Sequence, residues 1–437
     1  MTWYVALLLQ MGGLLALLML GLPVVFAFLA VNIVGALFFL GGEPGLAQLV
    51  RNAVDAVTTF TLTPIPLFLL MGEVMFHTGL AHKAIDAVDK LIARVPGRLS
   101  LVAVVSGTIF SALSGSTLAN TAMLGSTLLP EMRRRGYEPK IAMGPILGTG
   151  GIAMLIPPSA LAVILASLAM ISVADLLIAG ILPGIVMATL FFGYVIVRCW
   201  LNPALAPGYD VGHLTLGERL RPLFVNVVPL LGIFVVVVGS ILGGLASPTE
   251  SAALGAVATV VAAAAYRVLT WRSIMVSLRE TAKVSVMILF IICASITYSQ
   301  ILAFSGATDG LLEIVKGLDL TPIWLVIGML TILLFLGTFM DQLSMMMITI
   351  PFFMPLVATA GVDPVWFGLM MLIALEIGFT TPPFGLLLFV MKGVAPPDIT
   401  MRQIYWAAAP FIGLEVATIA LVMIFPGIAL WLPSLLR

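Results

Sequence analysis

Four short polar stretches interrupt long apolar runs in this chain, and their residue types are suited to binding a cation. Two of them, residues 114–117 and 337–342, combine small, hydroxyl and acidic side chains. The other two, residues 148–159 and 378–383, are rich in glycine, threonine and proline. Hydroxyl, carboxylate and freed carbonyl oxygens are the ligands that a hard cation prefers. We therefore expect the chemistry of the protein to lie at these four interruptions.

The four stretches predict two oxygen cages for Na⁺. The first would use Ser114, Ser116, Thr117 and Asn120 with the carbonyl groups around Gly115, Gly150 and Gly151. The second would use Thr338, Asp341, Thr380 and Thr381 with the carbonyl groups around Gly378. Glycine permits sharp turns, and paired prolines leave carbonyl groups without helical donors. The alternative is that these segments are turns and kinks needed for packing alone.

The charged residues inside the apolar runs are all acidic, namely Glu73, Asp341, Glu376 and Glu415. Carboxylates within a membrane are functional candidates by default. Asp341 at a polar tip and Glu376 beside Gly378 are the stronger candidates, whereas Glu73 and Glu415 could equally be protonated acids hydrogen-bonded between helices. Because no Lys or Arg lies in the predicted core, bound cations and helix dipoles would have to neutralise an anionic substrate. This favours an ion-coupled symporter over a uniporter.

Lipid must surround these stretches, because 61% of the 437 residues are hydrophobic and only 9% are charged. A soluble protein carries roughly 25% charged residues, and a membrane span needs about 20 apolar ones. Residues 3–41 predict two spans that meet at a turn around Pro23. Further spans are predicted near residues 60–80, 176–198, 223–244, 249–268, 281–304 and 405–431. The net charge of zero offers no basic face for nucleic acid.

Two regions, residues 99–133 and 324–358, predict re-entrant hairpins with polar tips. Each flank of the tip has only about 15 residues, roughly 22 Å of helix, which is too short to cross. Each hairpin precedes a predicted broken helix, over residues 140–172 and 365–395. Non-helical backbone at this depth requires surrounding protein or water. The amphipathic stretches 81–94 and 271–278 predict connectors that lie along the bilayer surface.

The two halves of the chain match at a constant offset of 225 residues. The matched pairs are Pro23 with Pro248, Pro130 with Pro355, Gly136 with Gly361, Pro139 with Pro364, and Pro157-Pro158 with Pro382-Pro383. Each half holds five predicted spans and one hairpin, so the second half should be inverted relative to the first. With both termini outside, only Arg51, Lys316 and Arg437 of the 20 basic residues fall outside, as the positive-inside rule requires. The predicted fold is an all-α polytopic membrane protein of two inverted repeats.

Seven segments carry a resemblance to a known family. They are residues 66–73 (PLFLLMGE), 114–117 (SGST), 130–139 (PEMRRRGYEP), 156–159 (IPPS), 180–184 (GILPG), 247–250 (SPTE) and 381–385 (TPPFG). Together they resemble the DctM-like large membrane (M) subunit of TRAP (tripartite ATP-independent periplasmic) transporters, over nearly the whole chain. One difference is Gln342, which stands after the second tip where relatives commonly have proline.

The resemblance implies an elevator-type, Na⁺-coupled importer of an organic acid, such as a C4-dicarboxylate or sugar acid, in the bacterial inner membrane. It implies two partners, a separate small four-helix membrane subunit (Q type) and a periplasmic substrate-binding protein (P type), and no organic cofactor. Scaffold spans would occupy residues 1–60 and 199–270, and transport regions residues 61–198 and 271–437. The ion and substrate region would comprise Ser114, Gly115, Ser116, Thr117, Asn120, Gly150, Gly151, Pro157, Pro158, Ser159, Thr338, Asp341, Glu376, Gly378, Thr380, Thr381, Pro382 and Pro383.

Three other functions compete with this prediction. A stand-alone Na⁺- or H⁺-coupled dicarboxylate symporter would need no binding protein. An ion channel would need a continuous polar path, whereas the polar breaks here have apolar flanks on both sides. An enzyme would need a paired nucleophile and base or a phosphate-binding loop, and the sequence contains neither pattern.

Overall fold

The computed structural model describes residues 2–92, 95, 97–208 and 215–435, so Arg94 and Arg437 of the predicted charge distribution lie outside the described residues. All the regular secondary structure in this described part is helical. Seven of its helices are long and apolar enough to cross a membrane. The number rises to eight if Pro139–Leu155 and Ala160–Leu168, bent by 47°, form one span. The predicted all-α membrane architecture is confirmed.

Ten helices form the first half of the chain. They are α1 (Trp3–Met19), α2 (Val24–Phe39), α3 (Glu43–Thr58), α4 (Phe60–His77), α5 (Leu80–Leu91), α6 (Arg98–Ser114), α7 (Thr117–Arg134), α8 (Pro139–Leu155), α9 (Ala160–Leu168) and α10 (Val173–Leu201). The turn between α1 and α2 and the separate connecting helix α5 were both predicted. The amphipathic helix α3 was not predicted, because it lies between two apolar runs and is too polar to be recognised as a membrane span.

Ten further helices form the second half. They are α11 (Gly217–Leu242), α12 (Pro248–Ala265), α13 (Trp271–Phe304), α14 (Ala307–Gly317), α15 (Pro322–Gly337), α16 (Gln342–Thr359), α17 (Pro364–Thr380), α18 (Leu386–Val394), α19 (Met401–Ile424) and α20 (Gly427–Ser434). One prediction here was wrong. Residues 271–278 are not a separate surface connector but the start of the 34-residue helix α13. No glycine or proline interrupts this stretch, so the helix continues into the span.

The helix boundaries follow the repeat predicted from the prolines. Helix α16 begins and ends 225 residues after α7, and α17 begins and ends 225 residues after α8. The peptide bonds Pro157-Pro158 and Pro382-Pro383 are both cis. The duplication is therefore present in the backbone as well as in the sequence.

The two repeats pack on each other reciprocally. Helix α2 packs on α13, and its repeat counterpart α12 packs on α4. Helices α8 and α17 contact each other, and both pack on α19. Every residue of α17 after Pro364 is buried, and so is every residue of α8 after Lys140. The two broken helices thus form the core of the molecule.

Helix–turn–helix pairs are present at both predicted hairpins, with arms longer than expected, and the arm α16 is among the helices long and apolar enough to cross a membrane. The first turns at residues 115–116 between α6 and α7, where Gly115 has a φ of +58°. The second turns at residues 338–341 between α15 and α16. The arms contain 17, 18, 16 and 18 residues. The longer arms arise because the helices continue to the polar tip itself.

The breaks in the two central helices are narrower than predicted. Helix α8 runs regularly through residues 148–151 and ends at Leu155, and α17 runs through Gly378 to Thr380. Glycine costs a helix only about 1 kcal/mol relative to alanine, so buried packing can retain it. The helices end where the paired prolines remove backbone donors and restrict the preceding residue.

Candidate functional site

The carboxylate of Glu376 lies where both hairpins and both broken helices meet. Its residue is only 1% exposed. Its Oε2 accepts a hydrogen bond of 2.9 Å from Nε2 of Gln342 and a longer one of 3.4 Å from the hydroxyl of Thr117. Thr117 and Gln342 are each the first residue of a second hairpin arm, and they are 225 positions apart. A single carboxylate oxygen therefore contacts equivalent positions of the two repeats.

The repeat counterpart of Glu376 is Gly151, and the two residues contact each other. A Cβ atom placed on Gly151 would lie 2.8 Å from Cγ of Glu376 and 2.9 Å from Oε1 of Glu415. Contacts this short would force side chains to move, so only glycine leaves room here for two carboxyl side chains. The helical glycine predicted to break α8 instead provides space beside the carboxylates.

The first tip and the first broken helix are in close contact. The hydroxyl of Thr117 also lies 3.1 Å from the carbonyl oxygen of Gly150. Nδ2 of Asn120 donates to the carbonyl oxygen of Thr149 at 3.2 Å. A Cβ atom on Gly115 would lie 2.5 Å from the carbonyl oxygen of Pro158. The residues predicted for the first cage are thus neighbours in space.

Several predicted ligands cap helices. The hydroxyl of Ser116 accepts a hydrogen bond from the backbone at the start of α7, and that of Ser159 does so at the start of α9. Asp341 is the repeat counterpart of Ser116 and accepts from the backbone N–H groups of Leu343 and Ser344, at 3.2 and 3.4 Å, and from the Ser344 hydroxyl. Capping satisfies backbone donors that a helix leaves open at its start.

The second tip meets α17 through a contact between two glycines. A Cβ atom on Gly337 would lie 2.3 Å from Cα of Gly378. The hydroxyls of Thr338, Thr380 and Thr381 all donate to backbone carbonyl oxygens of their own helices. The carbonyl oxygen of Pro383 accepts a hydrogen bond of 3.0 Å from Tyr405. The second set of predicted residues is therefore held together at the contact between Gly337 and Gly378, with its threonine hydroxyls directed at the backbone.

Sequence reasoning missed Gln342 and Thr121 as contributors to this site and left the role of Glu415 open. In the sequence, Gln342 stands out only as a departure from the family pattern. Thr121 lies beside Gly150 and follows Thr117 by four residues, a spacing that places both on one helix face. A purely structural role for Glu415 predicts an acid that is hydrogen-bonded between helices. Both of its carboxylate oxygens are instead buried without a partner. By contrast, Glu73 pairs with His77 at 3.1 Å.

Among the described residues, no group of three or more His, Cys, Asp or Glu side chains could hold a metal ion. A cation here would have to use hydroxyl, amide and carbonyl oxygens with at most two carboxylates. Three buried oxygens near α8 have no hydrogen-bond partner, namely Oδ1 of Asn120, Oγ1 of Thr121 and Oε1 of Glu376. The donor set is thus of the kind that fits Na⁺.

Comparison with known proteins decides the family. Residues 11–428 match the family described as "Tripartite ATP-independent periplasmic transporter, DctM component". The chain belongs to this family. The C4-dicarboxylate TRAP transporter large permease DctM of Rhodobacter capsulatus is 31% identical to this TRAP large permease, over 97% of this chain and 98% of the relative. The ectoine TRAP transporter large permease TeaC of Halomonas elongata is 28% identical, over 98% of both chains.

A solved structure supports the same fold for this TRAP large permease. The YdaH transporter of Alcanivorax borkumensis superposes with a TM-score of 0.58 at 15% sequence identity, covering 89% of this chain and 90% of that one. Family and fold together indicate a membrane permease of a bacterial tripartite system, and they point away from an enzyme.

Proposed function

We propose that this TRAP large permease is an Na⁺-coupled importer of an organic acid. A periplasmic binding protein would deliver the substrate, and a separate small four-helix subunit would complete the membrane part. Both termini would lie in the periplasm of a bacterial inner-membrane protein. The observation that carries the proposal is the buried Glu376 carboxylate, which accepts hydrogen bonds from equivalent residues of both hairpins.

A cation is the natural ligand for this site. The hydrogen-bond partners of Glu376 are the neutral side chains of Thr117 and Gln342, and neither supplies a positive charge. A buried carboxylate without a counter-charge is costly in a medium of low dielectric constant. A sodium ion beside Glu376, Thr121 and the carbonyl oxygen of Gly150 would supply the missing charge. It would use two oxygens that lack partners, Oε1 of Glu376 and Oγ1 of Thr121.

The substrate class follows from the same electrostatics. None of the residues lining the site is cationic, so an organic anion would bind next to sodium ions and the positive ends of α7 and α16. The relative from Rhodobacter capsulatus is named for C4-dicarboxylates, which supports a carboxylate substrate. The relative from Halomonas elongata is named for ectoine, so substrates differ within the family.

Movement of the site would follow the elevator mechanism. The tips of both hairpins contact the broken helices closely at Gly115 and Gly337. These contacts leave little room for a hairpin to slide along its broken helix. The hairpins and broken helices would therefore move as one body, while α2 and α12 would remain with the scaffold. Sodium and substrate would cross the membrane together with this body.

The test is uptake into proteoliposomes that contain this chain with its small subunit. A binding protein loaded with radiolabelled C4-dicarboxylate, sialic acid or sugar acid is added outside. We expect uptake to require an inward Na⁺ gradient, and Glu376→Gln to lower the initial rate at least tenfold. The matched control Glu313→Gln, in an exposed part of α14, should leave the rate unchanged. Equal uptake in K⁺ would overturn sodium coupling, and equal uptake without the binding protein would indicate a stand-alone symporter.

A further inference from the structure

A second buried carboxyl group, that of Glu415 in α19, faces Glu376 across Gly151. Glu415 is 1% exposed, and neither of its carboxylate oxygens has a hydrogen-bond partner. The position that a Cβ atom of Gly151 would occupy lies 2.9 Å from Oε1 of Glu415 and 3.6 Å from Cδ of Glu376. The two carboxyl groups therefore converge on one point from opposite helices.

No positive side chain neutralises this pair. None of the ion pairs among the described residues includes Glu376 or Glu415. The basic residues on the neighbouring helices lie near helix ends, as with Lys140 at the start of α8, Arg402 at the start of α19 and Lys392 in α18. Lys140 is eleven residues from Gly151, roughly 16 Å along a helix. Two adjacent carboxylates at this depth require a bound positive charge.

The number of unsatisfied oxygens favours a metal ion over a proton. Both oxygens of Glu415 and Oε1 of Glu376 are buried without a partner. One proton would join at most two of these oxygens, whereas one Na⁺ accepts several oxygen ligands at once. Several unpartnered carboxylate oxygens facing one point are therefore better matched by one metal ion than by one proton.

We propose that Glu376 and Glu415 form a carboxylate sodium site above Gly151, separate from the capped tip residues Ser116 and Asp341. This proposal rests on the proposed sodium coupling. It adds to it one ligand, Glu415, that neither hairpin tip supplies. Glu376 accepts hydrogen bonds from Thr117 and Gln342. An ion bound here would therefore influence the position of both hairpins through these contacts with Glu376.

The test measures sodium binding to the purified full chain in detergent, by equilibrium dialysis with radioactive sodium. We expect Glu415→Gln to bind one Na⁺ fewer per chain than the wild type. Gly151→Ala, which places a methyl group between the carboxyl groups, should lose the same ion. Glu313→Gln is the matched control and should bind the wild-type number. Gel filtration and melting in choline chloride establish that each variant is folded.

An unchanged number of bound sodium ions in folded Glu415→Gln would overturn the site. So would an infrared band of a protonated carboxyl group in sodium-saturated wild type that disappears in Glu415→Gln, since a proton would then occupy the pair. These outcomes are separate from the proposed function, which is tested by uptake. If uptake is driven by sodium but wild type and Glu415→Gln bind the same number of sodium ions, only the carboxylate site is overturned. The proposed import function would then still hold.

Discussion

The side chains of Thr117 and Gln342 both lie within hydrogen-bonding distance of the same oxygen atom, Oε2 of Glu376, although they belong to different repeats. Each residue begins the second arm of its hairpin, so the two contacts are related by the duplication. Glu376 has no equivalent acid in the first repeat, where Gly151 stands instead. The duplicated framework thus holds, between its halves, a carboxylate that only the second repeat supplies.

Removing either donor should weaken sodium binding. A hydrogen bond to a charged group contributes about 1.5–3 kcal/mol, so Thr117→Val and Gln342→Met should each raise the half-saturating Na⁺ concentration for uptake about tenfold or more. Thr331→Val is the control, because that exposed hydroxyl bonds only to its own helix. Unchanged sodium dependence in both variants would show that these bonds do not shape the site.

The contact between Gly337 and Gly378 should tolerate no side chain. In Gly378→Ala the new methyl group would lie 2.7 Å from Cα of Gly337, so the second hairpin must move away from α17. We expect a loss of stability of about 1–3 kcal/mol and little remaining uptake. Gly328→Ala, where a methyl group meets no atom within 4 Å, should melt at or slightly above the wild-type temperature. Normal uptake by Gly378→Ala would mean that the hairpin works without this contact.

Asp341 should act through its capping bonds. Asparagine caps helices as well as aspartate does, whereas alanine loses about 1 kcal/mol. We expect Asp341→Asn to retain most sodium-dependent uptake and Asp341→Ala to lower the melting temperature. If Asp341→Asn melts normally but loses its response to sodium, the carboxylate is an ion ligand rather than a cap.

Sodium should stabilise the purified chain. Because a ligand that binds only the folded state stabilises it by about 2.7 kcal/mol at 100 times its dissociation constant, the melting temperature should rise as choline chloride is replaced by sodium chloride at constant ionic strength. Glu376→Gln should show a smaller rise than Glu313→Gln. An equal rise in potassium chloride would point to a general salt effect.

The hairpins and their tips could be predicted because their signals are local. Polar residues such as Ser116 and Asp341 interrupt apolar runs, and the same residues cap the helices that follow. The 225-residue offset could be predicted because prolines cannot shift without moving a helix end. Paired prolines likewise predicted where α8 ends, since their missing donors act on their own helix.

The interior of the site could not be predicted in the same way. Glycines at 148 and 151 suggested a break, yet they accommodate Phe411 and Glu376 from other helices. Whether such a glycine bends a helix or makes room for a neighbour depends on a partner far away in the chain. The approach of Glu415 to Glu376 depends on how α19 packs against α8 and α17, which the sequence of any one helix does not specify.

The reciprocal packing of α2 on α13 and of α12 on α4 has an evolutionary consequence. Helix α2 of the first half packs on α13 of the second, and α12 of the second half packs on α4 of the first. Neither half therefore buries these helix surfaces by itself. A single-repeat ancestor would have needed a second copy to cover these surfaces. Fusion of two copies into one polypeptide would then have freed one copy to evolve an acid, Glu376, where the other kept a glycine, Gly151.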